Sequence, residues 1–143
     1  MLKNALLIVF LISCATTAFS QKKERIKGDR NVTSRETKIN SFNRISVGED
    51  FKIDIIEGSE ASVFIETDDN LHDIINFTVA DSTLTFQTDK NISSKRKLSI
   101  KVVYTNTLKQ IETFENGEVS SLTSVNLDDV ILKNTGSSKE FIN

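Results

Sequence analysis

The stretch Phe51–Glu66, which reads FKIDIIEGSEASVFIE, decides the fold because apolar and polar residues alternate along both of its halves. The apolar positions of this alternation are Phe51, Ile53, Ile55, Ala61, Val63 and Ile65. A period of two is typical of an extended strand with one buried face, since successive side chains point to opposite sides. Between the halves, Glu57–Glu60 is a cluster of turn-forming residues. The stretch therefore predicts two strands, each with one buried face.

The same period extends outward from this stretch, beginning at about Phe42. Phe77 and Val79 precede the turn segment Ala80–Ser82, and alternating apolar residues follow it, which predicts a hairpin. Further along, Leu98–Tyr104 alternates in the same way. The chain has no proline, which suits strands whose backbone N–H groups all donate hydrogen bonds.

Only the segment Asp68–Ile75 has helical spacing. Leu71, Ile74 and Ile75 share one helical face, and an Asp or Asn before them can cap the first turn. The sequence predicts one or two helical turns here, with helix a minor component of the fold.

The last third of the chain resembles a repeat when Gly117 is aligned with Gly136, an offset of 19 residues. The alignment places Ile111 over Val130, Val119 over Ser138 and Leu122 over Phe141. Each copy would be a strand, a Gly-containing turn and a second strand, stacked on the copy before it. Stacking of this kind predicts a solenoid with backbone hydrogen bonds between its rungs.

Residues 1–20 have the pattern of a secretory signal peptide: Lys3, then the apolar run Ala5–Ile12, then small residues. The preferred cleavage site lies between Ser20 and Gln21. The apolar run is about half of the roughly 20 residues that a spanning helix needs, and no later stretch is longer. We therefore expect an exported protein without a membrane span, in the periplasm, on the outer-membrane surface or outside the cell.

A rival interpretation of the same segment is the lipobox Leu11–Cys14, in which Cys14 becomes a lipidated first residue. Cys14 is also the only cysteine, so no disulfide is expected within the exported chain. Residues 21–40 contain few apolar side chains and predict a flexible leader, or alternatively a loosely held first strand, before a single domain at 41–143. The formal net charge of −2 argues against nucleic-acid binding, which needs a surplus of positive charge.

The sequence predicts no catalytic residues, no cofactor site and no metal site. The only histidine, His72, lies in the predicted helical turn, where an exposed position is expected rather than the role of a catalytic base. A second cluster, Asp68–Asn70 with Asp73, has oxygen ligands that calcium prefers. It lacks the glycine and the distant glutamate of a calcium loop, so helix capping is the preferred interpretation.

Six segments resemble one known family by their order and spacing. They are Arg44–Val47, Phe51–Gly58, Asp68–Leu71, Val79–Leu84, Leu108–Ile111 and Asn116–Gly117. Together they resemble the head GIN domain of putative auto-transporter adhesins, over about two thirds of the chain. The resemblance implies an exported protein of Bacteroidetes-type bacteria and no catalytic residues to carry over.

The fold class that the resemblance implies is all-β: an irregular right-handed parallel β-helix with an N-terminal antiparallel part and one short helical turn. Domains of this family usually continue through further Gly-containing rungs. The expectation is therefore that the domain at 41–143 is incomplete at its C-terminus.

The function predicted from these patterns is a cell-envelope binding module, adhesin-like and without catalysis, whose partner is a surface glycan or another envelope protein. One alternative is a polysaccharide-cleaving β-helix enzyme, which needs paired carboxylates on neighbouring rungs. The outward-facing acids that the pattern predicts are scattered: Asp54, Glu66, Glu112 and Glu118. The other alternative is a purely structural envelope protein.

Overall fold

The computed structural model describes residues 22–125, 130–137 and 139–142. The predicted signal peptide at 1–20, the cleavage site at Ser20 and Gln21, and the lipidation candidate Cys14 lie outside these residues. Within them no helix is long and apolar enough to cross a membrane.

The described chain contains thirteen strands and one short 3-10 helix at Asp69–Ile74. The strands are β1 (Arg25–Lys27), β2 (Val32–Lys38), β3 (Arg44–Val47), β4 (Lys52–Glu57), β5 (Ser62–Asp68), β6 (Ile75–Ala80), β7 (Thr83–Thr88), β8 (Asn91–Ser94), β9 (Leu98–Tyr104), β10 (Gln110–Thr113), β11 (Glu118–Ser121), β12 (Ile131–Asn134) and β13 (Lys139–Phe141). The predictions of an all-β fold and of one short helix are confirmed. The hairpin predicted around Ala80–Ser82 is also confirmed, as β6 and β7.

The strands form two large sheets and one small one. The five-stranded sheet has the order β12-β10-β3-β7-β6, and the six-stranded sheet has the order β13-β11-β4-β9-β5-β2. From β12 to β7 and from β13 to β9 every neighbour is parallel, whereas β6, β5 and β2 are added antiparallel at the far edges. The small sheet pairs β1 with β8 in parallel.

Consecutive strand pairs stack in the same register in both large sheets. Gln110 faces Arg44 in one sheet and Glu118 faces Lys52 in the other, a shift of 66 residues in each. We call the strand pairs β3–β4, β10–β11 and β12–β13 the first, second and third rungs. Each rung has a tight turn between its two strands.

The repeat offset predicted from the glycines is wrong. The structure pairs Gln110 with Ile131 and Glu118 with Lys139, so the second and third rungs are 21 residues apart and not 19. The reason is that the two glycines serve different purposes. A Cβ on Gly117 would lie 2.2 Å from the Val47 carbonyl oxygen, whereas Gly136 has a φ of +79°. They are not equivalent positions of one turn.

Strands β1 and β2 lie within the segment 21–40, which agrees with the alternative of a loosely held first strand and not with a flexible leader. β2 pairs antiparallel with β5 from Val32 opposite Asp68 to Lys38 opposite Ser62. Five of its seven side chains are exposed, since β2 is the edge of its sheet. Backbone hydrogen bonds rather than apolar burial hold this segment, which explains its polar sequence.

The core fills the space between the two large sheets. Its members are mainly the inward-facing apolar residues of the strands, joined by Leu71 of the 3-10 helix. Those less than 2% exposed are Ile45, Val47, Ile53, Ile55, Val63, Leu71, Leu84, Ile100, Val102, Tyr104, Ile111 and Val119. The buried positions predicted from Phe51–Glu66 are confirmed. Each buried aliphatic side chain contributes roughly 1.5–3 kcal/mol of transfer free energy, so this core dominates the stability of the fold.

Candidate binding groove

The turns of the three rungs stack into a ladder, formed by residues 48–51, 114–117 and 135–137, which we call the turn ladder. Asn116 N–H donates to the Glu49 carbonyl at 3.1 Å, and Ser137 N–H donates to the Glu115 carbonyl at 3.1 Å. One position in each turn has a left-handed backbone: Glu49 at φ 50°, Glu115 at φ 53° and Gly136 at φ 79°. Non-glycine residues adopt this conformation rarely and with strain, which often marks a functional site.

Side chains of the ladder also bond from one turn to the next. The Glu49 N–H donates to Glu115 Oε2 at 2.9 Å, and Asn116 Nδ2 donates to Asp50 Oδ1 at 2.9 Å. The stacking therefore brings three carboxylates, those of Glu49, Asp50 and Glu115, to one edge of the molecule. Asp50 and Glu115 are exposed there.

The opposite wall comes from the segment before β1 and from strand β8. Lys23 Nζ crosses to Glu49 Oε1 at 2.7 Å, and Thr88 Oγ1 donates to Glu49 Oε2 at 2.9 Å. The segment is fixed to β8 because Asn91 N–H donates to the Glu24 carbonyl at 2.8 Å. The small sheet β1–β8 is thereby held against the turn ladder.

Between these walls lies a groove with a volume of about 740 Å³, a size typical of ligand sites. Its polar lining consists of Lys23, Glu49, Asp50, Thr88, Asn91, Lys95, Glu115 and Asn116. Its apolar lining consists of Phe51, Ile92 and Leu98. The Phe51 ring packs against the Phe86 ring, with 5.8 Å between ring centroids, and so is anchored in the core.

The charges of the groove are mixed. Both carboxylate oxygens of Glu49 accept hydrogen bonds, one from Lys23 and one from Thr88. Among the described residues, Asp50, Glu115 and Lys95 line the groove without an ion pair. The groove thus offers hydrogen-bond acceptors and one ammonium donor that the chain itself leaves available.

The part of the chain that the structure describes contains no cluster of three or more His, Cys, Asp or Glu side chains arranged to hold a metal ion. The carboxylates of the ladder accept hydrogen bonds from side chains and from the backbone. Their chemistry suits recognition of hydroxyl and amide groups.

His72 does not lie where the sequence predicted. It is only 8% exposed, and its Nε2 lies 3.1 Å from the Thr33 carbonyl oxygen. The expectation of an exposed histidine is wrong because strand β2, taken for a leader, covers the helical turn. His72 does not line the groove.

Asp68 precedes the helix, but its side chain makes no capping hydrogen bond, so the capping interpretation is corrected. Its carboxylate instead accepts backbone N–H groups from Arg30 at 3.0 Å, Arg96 at 3.0 Å and Lys97 at 3.2 Å. Burial by itself raises the pKa of Asp68, but these three donors outweigh it and hold the pKa below its ordinary value. Asp68 joins three segments of the chain.

The acids singled out from the sequence remain scattered in the structure. Glu66 pairs with Lys97, Glu118 pairs with Lys52, and neither they nor Asp54 and Glu112 line the groove. Sequence reasoning missed the ladder acids because 66 residues separate their turns. The available signal was the pair of turn sequences Gly48–Asp50 and Glu115–Gly117, which share a glutamate and a glycine.

Solved structures share this fold. A putative adhesin from Bacteroides fragilis NCTC 9343 is similar with a TM-score of 0.70 and 23% identity, covering 80% of this chain and 54% of that one. A putative adhesin from Parabacteroides merdae ATCC 43184 gives 0.65 and 20%, covering 78% and 47%. A putative lipid binding protein from Parabacteroides distasonis ATCC 8503 gives 0.64 and 20%, covering 78% and 49%. The chain thus spans about half the length of these structures.

A search of curated proteins gave no match. The family model described as "Putative auto-transporter adhesin, head GIN domain" matches residues 41–140. This match covers more than half of the chain and agrees with the resemblance of its six segments. The protein therefore belongs to the head GIN domain family of putative auto-transporter adhesins.

Proposed function

We propose that this protein is an exported, non-catalytic binding module of the cell envelope that holds a surface partner in the groove beside the turn ladder. The observation that carries the proposal is the groove itself, which is lined by polar side chains of the backbone-stacked turns and by the partly exposed Ile92 and Leu98. Side chains fixed in this way lose little conformational entropy on contact, which favours binding. Family membership and the adhesin descriptions of two relatives support the same reading.

The proposal includes the finer architecture, an irregular right-handed parallel β-helix. Support for it comes from the parallel pairing of three rungs in two sheets with one shared register. A β-helix places the turns of successive rungs in line. The three residues with a positive φ, Glu49, Glu115 and Gly136, accordingly occupy the same place in the three turns.

Export is proposed through a signal peptide at 1–20, with cleavage between Ser20 and Gln21. Palmitate labelling of cells that express the full chain tests the rival, lipidation of Cys14. Label that is lost in Cys14→Ala would replace cleavage at Gln21 by a lipid anchor. An unlabelled chain whose first residue is Gln21 is the expected result.

The polysaccharide-cleaving alternative is favoured by one observation, the presence of three carboxylates on adjacent turns. Both oxygens of Glu49 are occupied by internal hydrogen bonds. Within the described part of the chain, this leaves Asp50 and Glu115 as the groove carboxylates that each have one oxygen without a hydrogen bond. Release of reducing sugar ends from polysaccharides by the full chain, lost in Glu115→Gln, would establish this enzyme. We expect no product.

Binding itself is tested with fixed bacterial and animal cells and the exported chain, labelled with a fluorophore. Asn91→Trp fills the groove from the exposed face of β8, and we expect it to reduce cell binding at least tenfold. Ser34→Trp is the matched control, since Ser34 is exposed on strand β2 and does not line the groove. Equal binding by both variants would exclude the groove as the contact surface.

A further inference from the structure

Resting on this proposed function, we propose that the ligand of the groove is an uncharged glycan, held through its hydroxyl groups by Asp50 and Glu115. The proposal follows from three properties of the lining: which oxygen atoms remain available, what its apolar part offers, and how the charges are distributed.

The available oxygens are the first property. Asp50 uses Oδ1 to accept from Asn116, and Glu115 uses Oε2 to accept from the Glu49 N–H. Within the described chain, Asp50 Oδ2 and Glu115 Oε1 accept no hydrogen bond, and both side chains are exposed. These oxygens lie on neighbouring turns, whose strands are about 4.8 Å apart. Two strong acceptors at such a spacing suit a ligand with several O–H donors.

The apolar part of the lining is the second property. Ile92 and Leu98 are partly exposed there, whereas Phe51 is only 3% exposed. A sugar ring has the matching construction, because its faces carry C–H groups while its rim carries hydroxyls. The volume of about 740 Å³ has room for a short oligosaccharide rather than for a single small ion.

The distribution of charge is the third property. The positive charge of Lys23 is paired with Glu49. Among the described residues, Lys95 is therefore the unpaired cation of the lining, and Asp50 and Glu115 are its unpaired anions. A charged ligand of either sign meets repulsion from one wall. An uncharged glycan instead donates hydroxyl hydrogens to the carboxylates and accepts from the Lys95 ammonium group, which satisfies both walls.

The first test is affinity electrophoresis of the full chain in gels that contain dextran or mannan as uncharged glycans, alginate as an anionic one, or chitosan as a cationic one. We expect retardation by an uncharged glycan only. Asp50→Ala and Glu115→Ala should each weaken retention at least fivefold. Glu112→Ala is the control, because Glu112 is an outward-facing acid of β10 outside the groove. Retention by alginate or chitosan alone would overturn the proposal.

Salt provides a second readout. An uncharged ligand displaces no counterions, so its dissociation constant should change less than about twofold between roughly 50 and 500 mM NaCl. A steep dependence on salt would contradict the proposal even if a glycan binds.

Periodate treatment of fixed cells separates this inference from the proposed function, because periodate cleaves the carbon bond between neighbouring hydroxyls. Salt-insensitive cell binding that is lost after treatment supports the glycan. Binding that survives treatment overturns the glycan and leaves the binding module in place. Absence of binding to all untreated cells would contradict the proposed function itself.

Discussion

The first and third rungs share one register and one turn geometry, yet they differ sharply in burial. In the first rung Ile45 is fully buried, whereas Leu132, which lies at the same register position of the third rung, is 50% exposed. Among the described residues, the first rung has a parallel neighbour on each side, and the third has one only on the side of the second. The comparison teaches that a rung is stabilised by its neighbours more than by its own sequence.

The largest expected effect comes from truncating the first rung. Ile45→Ala removes a fully buried side chain and should lower the free energy of unfolding by about 3–4 kcal/mol. Leu132→Ala, the matched change in the third rung, should lower it by less than about 1 kcal/mol because half of the side chain is already in water. Urea unfolding followed by circular dichroism measures both. Equal losses of unfolding free energy in the two variants would show that the first and third rungs contribute equally to stability.

A smaller effect is expected at the glycines. Gly117→Ala places a Cβ against the Val47 carbonyl between the first two rungs, and should cost about 2–3 kcal/mol. Gly136→Ala in the third rung meets no atom closer than 3.4 Å and pays only for its left-handed backbone, about 1–2 kcal/mol. Thermal unfolding of the two variants compares them. A reversed order would mean that backbone conformation outweighs the approach of the rungs.

An effect confined to acid is expected from Asp68, which ties the N-terminal strands to the core. Because its folded pKa is lower than 3.8, its contribution to stability is complete above that pH and is lost as the pH falls through the folded value. The urea midpoint of the wild type should therefore fall below about pH 4, and Asp68→Asn should flatten this dependence. Asp54→Asn, which leaves those backbone contacts intact, is the control. An unchanged profile in Asp68→Asn would assign the acid sensitivity to other carboxylates.

The smallest effect is expected at Tyr104, which ends β9 beside the first rung. The side chain is 1% exposed, and its hydroxyl finds no hydrogen-bond partner among the described residues. Tyr104→Phe removes a buried polar group that nothing satisfies, so the free energy of unfolding should stay the same or rise by up to about 1 kcal/mol. Urea unfolding measures it. A loss of more than 1 kcal/mol would reveal a partner of the hydroxyl.

The strands that line the core could be predicted from the sequence because burial of one face leaves a period of two. Ile53, Ile55 and Val102 follow it and are buried. Strand β2 could not be predicted in this way, since an edge strand held by backbone hydrogen bonds needs no apolar pattern. The error at His72 followed from that omission, because β2 covers it.

The groove could not be predicted for a different reason. Glu49 and Glu115 are brought together by the stacking of rungs that lie 66 residues apart, and the similarity of the two turn sequences does not by itself indicate that they pair. The error in the repeat offset had a related cause. Gly117 is needed for the close approach of the Val47 carbonyl, whereas Gly136 has a positive φ, and the sequence does not distinguish these two roles. Glycine was a sound marker of turns and a poor marker of register.

The register between the first and second rungs has a consequence for synthesis. Strands β3 and β4 are synthesised well before β10 and β11. The first rung therefore lacks its neighbours from the second rung until those strands have been made. Chains in which most contacts join residues far apart in sequence fold slowly, over milliseconds to seconds. Until they fold, they expose unpaired strand edges that favour aggregation. Chaperones that shield nascent extended segments should therefore govern how much of this protein reaches its native state.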